Sequence, residues 1–445
     1  MSTEHNTKLK FIDLFAGIGG TRIGFENACK KNGFSSECVF TSEIKDHAVE
    51  SYKHNFKKDT HEVSGDITQF DTSEIPDFDI LLAGFPCQPF SSAGNRKGFM
   101  DTRGTLFFEI ERILRDKKPA GFLLENVEGL VTHDRENRKD PIGRTLSTIL
   151  MKLEEMGYVV EWRVLDSSHF GVPQQRKRIY IVGTRNNKVD LSFHPEKQTT
   201  LGDVLEQGLE VMNTDFTKKL LENYEIEDIY GKAIKDRRGG EDNIHSWDIN
   251  LKGETTPEQR KLLNRLLKER RKKQWAVTKG IAWMDGMPLT LEEIGTFADE
   301  KFFKKEINLK SLLDDLVEKG YLVFEHPKDL ITKEGEHGSY TVREYALDKE
   351  KGYNIIAGKL SFEVSKVLHP KEVAPTLVAT DVERFAVVDG NGVRRLSIRE
   401  GLRLFGFPDE YELPVTKRKS YDLLGNTVVV PVIESVADRI LKALA

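Results

Sequence analysis

Only three cysteines, Cys29, Cys38 and Cys87, occur in 445 residues, and no two stand as Cys-x-x-Cys. A disulfide framework is excluded, and a thiolate zinc site has no spacing to support it. No run of about 18 apolar residues is present to cross a bilayer. The opening MSTEHNTKLK lacks the apolar core of a signal peptide. A net positive charge is missing too: 67 Lys and Arg stand against 72 Asp and Glu, a formal charge of −5. That excludes a uniformly basic polyanion binder but not a local basic face. The expectation is a soluble protein of a reducing, cytoplasmic compartment, with no metal and no membrane partner. The hydrophobic fraction of 38% and charged fraction of 31% are ordinary for a globular chain. At roughly 150 residues per domain, the length allows two or three domains.

To about residue 185, short apolar runs alternate with amphipathic stretches. The strand-like runs are 10–15, 39–42, 80–83, 121–124, 159–165 and 178–182; helical patterns fill 21–30, 46–55, 106–114 and 145–155. Such alternation predicts βαβ units and a parallel, doubly wound α/β sheet. From 187 to 372 the chain is more charged and irregular. Eight basic residues crowd Arg260–Lys273 beside leucines at helical spacing. They read equally as a solvated helix face or a nucleic-acid contact. Helical patterns at 289–294 and 309–319, then strand-like runs at 321–325 and 339–345, have the order of a winged helix near 285–347; a small α+β packing unit has the same order. Alternation returns after 373. The expected organisation is one scaffold, 1–186 and 373–445, with an inserted smaller α+β domain at 187–372.

Four constellations carry chemistry. FIDLFAGIGG (11–20) runs an apolar strand into a turn with Gly17 and Gly19, then a helix. Glycines there let the backbone approach a ligand at a helix N-terminus. Glu43 follows the second strand, about where an acid grips ribose hydroxyls, and Asp66 ends the third. This is a nucleoside-cofactor site, open between a dinucleotide and S-adenosylmethionine. GFPCQPFSSAG (84–94) puts Cys87 after the fourth strand between Pro86 and Pro89. A thiol fixed near positive charge can ionise and attack; Gly94, Gly98 and Gly104 with Arg96, Lys97 and Arg103 read as a loop over an anionic substrate. Cys29 and Cys38 read instead as small core residues. In LLENV, Glu125 after the fifth strand is either a helix cap or a general acid on the edge that carries Cys87. In PQQRKRIYIVG, Arg176 and Arg178 are two apart, sharing a strand face, and are either surface charge or ligand-facing.

FIDLFAGIGG, GFPCQPFS, RGTLFFEI, ENV, QQRKR, RRLSIREGLRLFGFPD and GNTVVVPV together resemble, in order, the bacterial cytosine-C5 DNA methyltransferases. The resemblance covers about 10–185 and 373–445. It implies a Rossmann-like, S-adenosylmethionine-dependent catalytic domain, with the insertion where that family carries its target-recognition region. It implies that Cys87 attacks C6 of a flipped-out cytosine, that Glu125 holds the ring N3 and amino group, and that Arg178 meets O2 with Arg176 in support. It further implies Phe15 against the adenine, Gly17 and Gly19 near the methionine, Glu43 on the ribose and Asp66 at the adenine amino group, with Leu106 and Asn426 completing the pocket. Two positions depart from the pattern: Ile44 replaces a common aromatic, and Leu423 a common glutamine. Double-stranded DNA is the implied substrate, a cognate restriction endonuclease the implied functional partner, and a monomer sufficient. A transfer-RNA methyltransferase, a catalytically silent DNA-binding regulator and a nicotinamide-dependent oxidoreductase are the competing readings.

Overall fold

The computed structural model describes residues 8–86, 105–194, 198–236, 243–335, 338–356 and 362–445. Cys87 and the glycine- and arginine-bearing stretch to Gly104 lie outside these residues. The chain divides into two compact units, one made of 1–206, 369–383 and 396–445, the other of 207–368 and 384–395.

The first unit begins β1 (Lys8–Leu14), α1 (Gly20–Lys31), β2 (Ser35–Ser42), α2 (Asp46–Asn55), β3 (Val63–Ser64) and β4 (Ile80–Gly84). It continues α3 (Thr105–Lys117), β5 (Gly121–Val127), α4 (Arg144–Glu155), β6 (Val159–Asp166) and β7 (Lys177–Thr184). These strands form one sheet in the order β3-β2-β1-β4-β5-β7-β6. The central strands are buried on both faces, which is why they read as near-continuous apolar runs. Ile12, Leu14, Leu81, Phe122 and Leu124 pack with Phe107, Ile110 and Leu114 of α3 and with Leu146, Ile149 and Leu153 of α4. The expected all-parallel sheet needs one correction. β7 runs antiparallel to both β5 and β6. The link from β6 to β7 spans only residues 167–176 and holds no crossover helix, so the chain must double back.

The second unit opens with α5 (Asp215–Asn223), α6 (Ile226–Ile229), β8 (Ala233–Ile234) and β9 (Asn243–Ile244). Next come α7 (Pro257–Glu269), α8 (Gln274–Lys279), α9 (Leu291–Gly295), α10 (Glu300–Phe303) and α11 (Leu309–Glu318). Its later strands are β10 (Leu322–Glu325), β11 (Lys328–Gly335), β12 (Gly338–Tyr345), β13 (Gly352–Ile355), β14 (Lys366–Val367), β15 (Phe385–Asp389) and β16 (Gly392–Arg395). A five-stranded sheet, β16-β15-β14-β8-β9, builds one core with Phe216 and Leu220 of α5. Leu262, Leu263, Leu266 and Leu267 of α7 build another with Trp247, Leu313 and Leu316.

The hairpin expected between 321–325 and 339–345 does not form. β10 pairs with β13, and β11 with β12, so β11–β12 is an excursion between two paired strands. Residues 328–335, KDLITKEG, lack the alternating apolar pattern that would have marked β11. The basic stretch at 260–273 is largely engaged within its own unit. Arg260 donates to Thr255 and Asn250, Arg265 pairs with Glu269, Arg270 donates to Asn354 and Arg271 pairs with Asp285.

The chain returns to the first unit with α12 (Ile398–Leu404), α13 (Lys417–Asn426) and α14 (Val430–Leu444). α14 covers the face of the sheet opposite α3 and α4. A Cβ at Gly24 of α1 would stand 2.6 Å from Ile433, and one at Gly121 of β5 would stand 3.6 Å from Ile440. Gly425 lets α13 approach the 378–379 backbone, since a Cβ there would lie 1.9 Å from the Ala379 nitrogen. Backbone cannot yield as a side-chain tip can. Gly425→Ala is therefore expected to destabilise the chain by about 1–3 kcal/mol, as overpacking does, measured as a lowered midpoint in urea unfolding.

Candidate active site

Successive strand ends deliver the site along one edge of the sheet, the edge where open α/β folds bind ligands. After β1 the backbone turns through positive φ at Phe15 (56°), Gly17 (54°) and Gly19 (76°), the last acting as N-cap of α1. Phe15 thus adopts a conformation that non-glycine residues rarely take, and such strain collects at functional sites. Gly17 is open: among the described residues, none but its chain neighbours comes within 4 Å of where its Cβ would stand. Gly19 has the opposite constraint, since a Cβ there would meet the Phe56 ring at 2.4 Å.

The carboxylate of Glu43 ties two of these turns together. Its Oε2 accepts from the Gly17 N–H at 2.8 Å and its Oε1 from the Lys45 N–H at 2.8 Å. Each oxygen keeps a lone pair for a further donor. Ile44, next to it, is 69% exposed, a conspicuous apolar side chain at the rim. Asp66 uses one oxygen to cap the turn after β3, accepting from the Thr68 N–H and hydroxyl. Leu106 sits half-buried at the start of α3. Asn426 closes α13 by donating to the Asp422 backbone and carboxylate. Asp422 in turn pairs with Lys45 at 3.2 Å and His47 at 3.0 Å, which binds α13 to the turn beyond Glu43. Gly17, a carboxylate with spare lone pairs and an exposed apolar side chain thus stand on neighbouring strand ends, the kinds of group that a nucleoside carrying a charged tail would need. Leu423, one residue from Asp422, is buried in the core and offers no polar group.

A second cluster forms where β4, β5 and β7 lie side by side. Glu125 stands within β5, not after it, opposite Gly84 of β4 and Tyr180 of β7. It is a strand residue rather than a helix cap. A Cβ at Gly84 would lie 3.7 Å from Glu125 Oε2, so the bare glycine leaves that oxygen room. Cys87 follows Gly84 by three residues in the chain. Arg178 Nε reaches Glu125 Oε1 at 3.2 Å, both side chains being largely covered. Burial pushes the Glu125 carboxyl above the usual range, and Arg178 and then Arg176 oppose the shift. A carboxyl held this way keeps its proton to higher pH than a solvated one does, which suits a proton donor.

Arg176 and Arg178, alike in sequence, are used differently. Arg176 is buried, and its guanidinium donates to the carbonyls of Leu377 (2.8 Å), Thr427 (2.9 Å) and Gly425 (3.4 Å). Burial pulls it down to about 10, so it stays cationic at neutral pH. It clamps the returning chain and reaches Glu125 through its field.

Two residues escaped the sequence reading. Asn126 donates to the Phe85 carbonyl at 3.1 Å, fixing the backbone that leads to Cys87; its place beside Glu125 in LLENV was the available signal. Asp13 is fully buried in β1, and neither oxygen has a hydrogen-bond partner among the described residues. An acid inside FIDLF was the signal there. Burial raises its carboxyl well above the ordinary value, Arg22 opposes this and Glu43 adds to it. Cys29 and Cys38 are buried, and burial raises both thiols to about 12, which suits core residues.

A twisted α/β sheet with one reversed strand, carrying Glu43 and the buried acid Glu125 along one edge, is the architecture of a cofactor-dependent group-transfer enzyme. The S. pombe Dnmt2 methyltransferase shares this fold, with a TM-score of 0.53 over 98% of both chains at 17% identity. So does the methyltransferase EhMeth of Entamoeba histolytica, with a TM-score of 0.52 over 99% of both at 15% identity. In sequence, the chain is 55% identical over 437 residues to the type II methyltransferase M.NlaIV of Neisseria lactamica, covering 98% of this chain and 100% of that one. It is 41% identical over 461 residues to M.BanI of Aneurinibacillus aneurinilyticus, covering 98% and 96%. The model of the family described as C-5 cytosine-specific DNA methylase matches residues 9–442, and the chain belongs to that family. It is a DNA (cytosine-5)-methyltransferase with S-adenosylmethionine as methyl donor. Among the described residues, no helix is long and apolar enough to cross a membrane.

Asp13 generates a stability prediction. Its folded-state pKa lies above the unfolded one, so its contribution is fully present below the unfolded value and is lost as pH rises through the folded value. Asp13→Asn removes that loss. In urea unfolding without methyl donor, the stability of the variant relative to the parent is expected to increase from pH 5 to pH 8; a pH-independent difference would show that Asp13 does not titrate on folding.

Proposed function

We propose that the enzyme methylates cytosine through a covalent adduct at Cys87. The observation that carries this reading is the buried Glu125–Arg178 pair beside Gly84, three residues before Cys87. In this mechanism the Cys87 thiolate adds to C6 of the cytosine, and Glu125 donates a proton to N3 so that the ring accepts the electron pair. The nucleophilic C5 then takes the methyl group that S-adenosylmethionine supplies as an electrophile. Loss of the C5 proton to a base returns electrons to the C5–C6 bond, the Cys87–C6 bond breaks to regenerate thiolate, and N3 gives its proton back to Glu125. Arg178 binds O2 and orients Glu125; Arg176 holds the segment that ends at Asn426. A cytosine inside a duplex cannot reach these groups, so the base is flipped out.

For the methyl donor, Phe15 and Ile44 pack against the adenine and Glu43 takes the ribose hydroxyls. Asp66 accepts from the adenine amino group, Gly17 and Gly19 leave room for the methionine, and Leu106 and Asn426 close the crevice. Target recognition is assigned to residues 187–372, and catalysis to 1–186 with 373–445. Similarity over nearly full length to type II methyltransferases supports a bacterial cytoplasmic setting in which a cognate restriction endonuclease cuts the unmethylated site. It also favours duplex DNA over transfer RNA. One active site that flips one base needs one copy of the chain, so we assign a monomer.

Bisulfite sequencing of unmethylated plasmid and of transfer RNA, after incubation with the protein and S-adenosylmethionine, tests the substrate. Protection is expected at one short plasmid motif; modification confined to transfer RNA would sink the DNA reading. Cys87→Ala is expected to abolish methyl transfer while keeping DNA binding. Glu125→Gln should lower kcat by about 10²–10⁴-fold, the usual share of a positioned general acid. Arg178 depresses the Glu125 pKa, so Arg178→Ala should move the high-pH limb of kcat upward even as activity falls. An unmoved limb would remove Glu125 as the titrating acid.

A further inference from the structure

The β11–β12 excursion of the second unit has a shape its own unit does not explain. Each strand is eight residues long, about 26 Å at the usual antiparallel rise. Apart from one another, neither strand has a partner among the described residues. From Leu330 outward the described side chains of both faces are exposed, Val342 excepted. A lone two-stranded ribbon is marginal in water, yet this one is anchored at its foot. Asp329 accepts from the Ala282 N–H at 2.8 Å, Arg343 donates to the Trp283 carbonyl at 3.5 Å and the Tyr345 hydroxyl donates to Glu325 at 3.0 Å. A fixed foot and a bare shaft give a probe held at a set angle.

The two faces differ. Cross-strand pairs share a face, so Thr332 with Thr341 and Glu334 with Ser339 make one side a row of short donors and acceptors. On the other side Lys333 and Glu344 neutralise each other in an ion pair, next to Ile331 and Val342. The charge lies at the foot. Lys273 sits over the exposed Trp283 ring at 5.6 Å. Lys272, beside it in the chain, pairs with Glu269 at 2.8 Å, an acid that Arg265 also holds at 2.9 Å, so the group keeps a net positive charge. Cations gathered below a hydrogen-bonding face, on which Glu334 and Arg343 place one charge of each sign, suit a polyanion whose sequence information lies in a groove between its charged rails. A major groove about 12 Å wide admits a two-stranded ribbon.

We propose that the β11–β12 ribbon enters the major groove of the target duplex and reads base edges through Thr332, Thr341 and Glu334, while Lys272 and Lys273 at its foot hold phosphates. This rests on the assignment of residues 187–372 to target recognition. Phosphate contacts position a protein and base contacts select the sequence, so the two groups must fail differently.

The full-length enzyme is first profiled by bisulfite sequencing to define its motif, then assayed for binding to duplexes with and without that motif across a salt series. Thr332→Val with Thr341→Val keeps shape and strand propensity; it is expected to cut the preference for the motif by about 5- to 100-fold, the value of one or two base contacts, with the salt slope unchanged. Glu334→Gln should relax choice at one base position. Lys272→Ala with Lys273→Ala should weaken binding to both duplexes alike and flatten the salt slope by roughly two. Methyl-donor affinity by calorimetry must match the parent in each variant, which separates a lost contact from a lost fold. An unchanged motif preference in the threonine and glutamate variants overturns the proposal. So does a parent that sediments as a dimer and a ribbon variant that sediments as a monomer, because the ribbon would then pair copies of the chain. A parent that methylates no duplex would instead sink the recognition reading beneath it.

Discussion

The guanidinium of Arg176 closes the catalytic unit. The polypeptide leaves this unit after residue 206 and returns at 369, leaves again at 384 and returns at 396. Each return must be fixed to a sheet completed long before. Arg176 does this from the start of β7, donating to carbonyls on two returning segments, at Leu377 and at Gly425 and Thr427. Those carbonyls have no ladder to join, and a buried cation with several donors is a strong way to satisfy them. Gln174 reinforces the closure, receiving the Leu377 N–H and donating to the Leu404 carbonyl. The same clamp sets the electrostatics of the acid beside it, since Arg176 and Arg178 jointly oppose the burial that raises Glu125.

The cofactor crevice is built by a similar economy. Glu43 is a structural tie, holding the Gly17 and Lys45 amides, and keeps lone pairs that the proposed function gives to a ribose. Asp422 holds Asn426 while anchoring α13 to Lys45 and His47. The groups to which the proposed function assigns the methyl donor are therefore oriented by one another, which lowers the ordering cost of binding.

Much of the catalytic unit was legible in the sequence for a physical reason. Strands buried on both faces are continuous apolar runs, and amphipathic helices between them carry their own period, so the elements to residue 184 fall close to where the pattern puts them. The reversal of β7 was not legible, because strand direction depends on the length of a connection and not on strand composition. Nor did sequence separate Arg176 from Arg178. Both precede the same apolar strand, and only the fold decides which meets backbone carbonyls and which meets a carboxylate. In the second unit, Leu262 to Leu267 announced α7, but the basic residues around them gave no sign of how many were engaged by neighbours. β11 escaped because a ribbon exposed on both faces has no reason to alternate. The pairing of β10 with β13 across the ribbon is a long-range choice that no local pattern records.

The order of elements has a consequence for biosynthesis. All seven strands of the catalytic sheet lie before residue 185, whereas α14, which covers one of its faces, begins at Val430. At ribosomal speeds of about 5–20 residues per second, roughly 10–50 s separate the two. Through that interval the surface of α1 and the sheet that will receive Ile433 and Ile440 is wet and apolar on a nascent chain. The second unit is translated and free to fold while the first waits. A stalled or truncated message lacking α14 would release a protein with an adhesive face, so quality control by chaperones should weigh most heavily on the last stretch of translation.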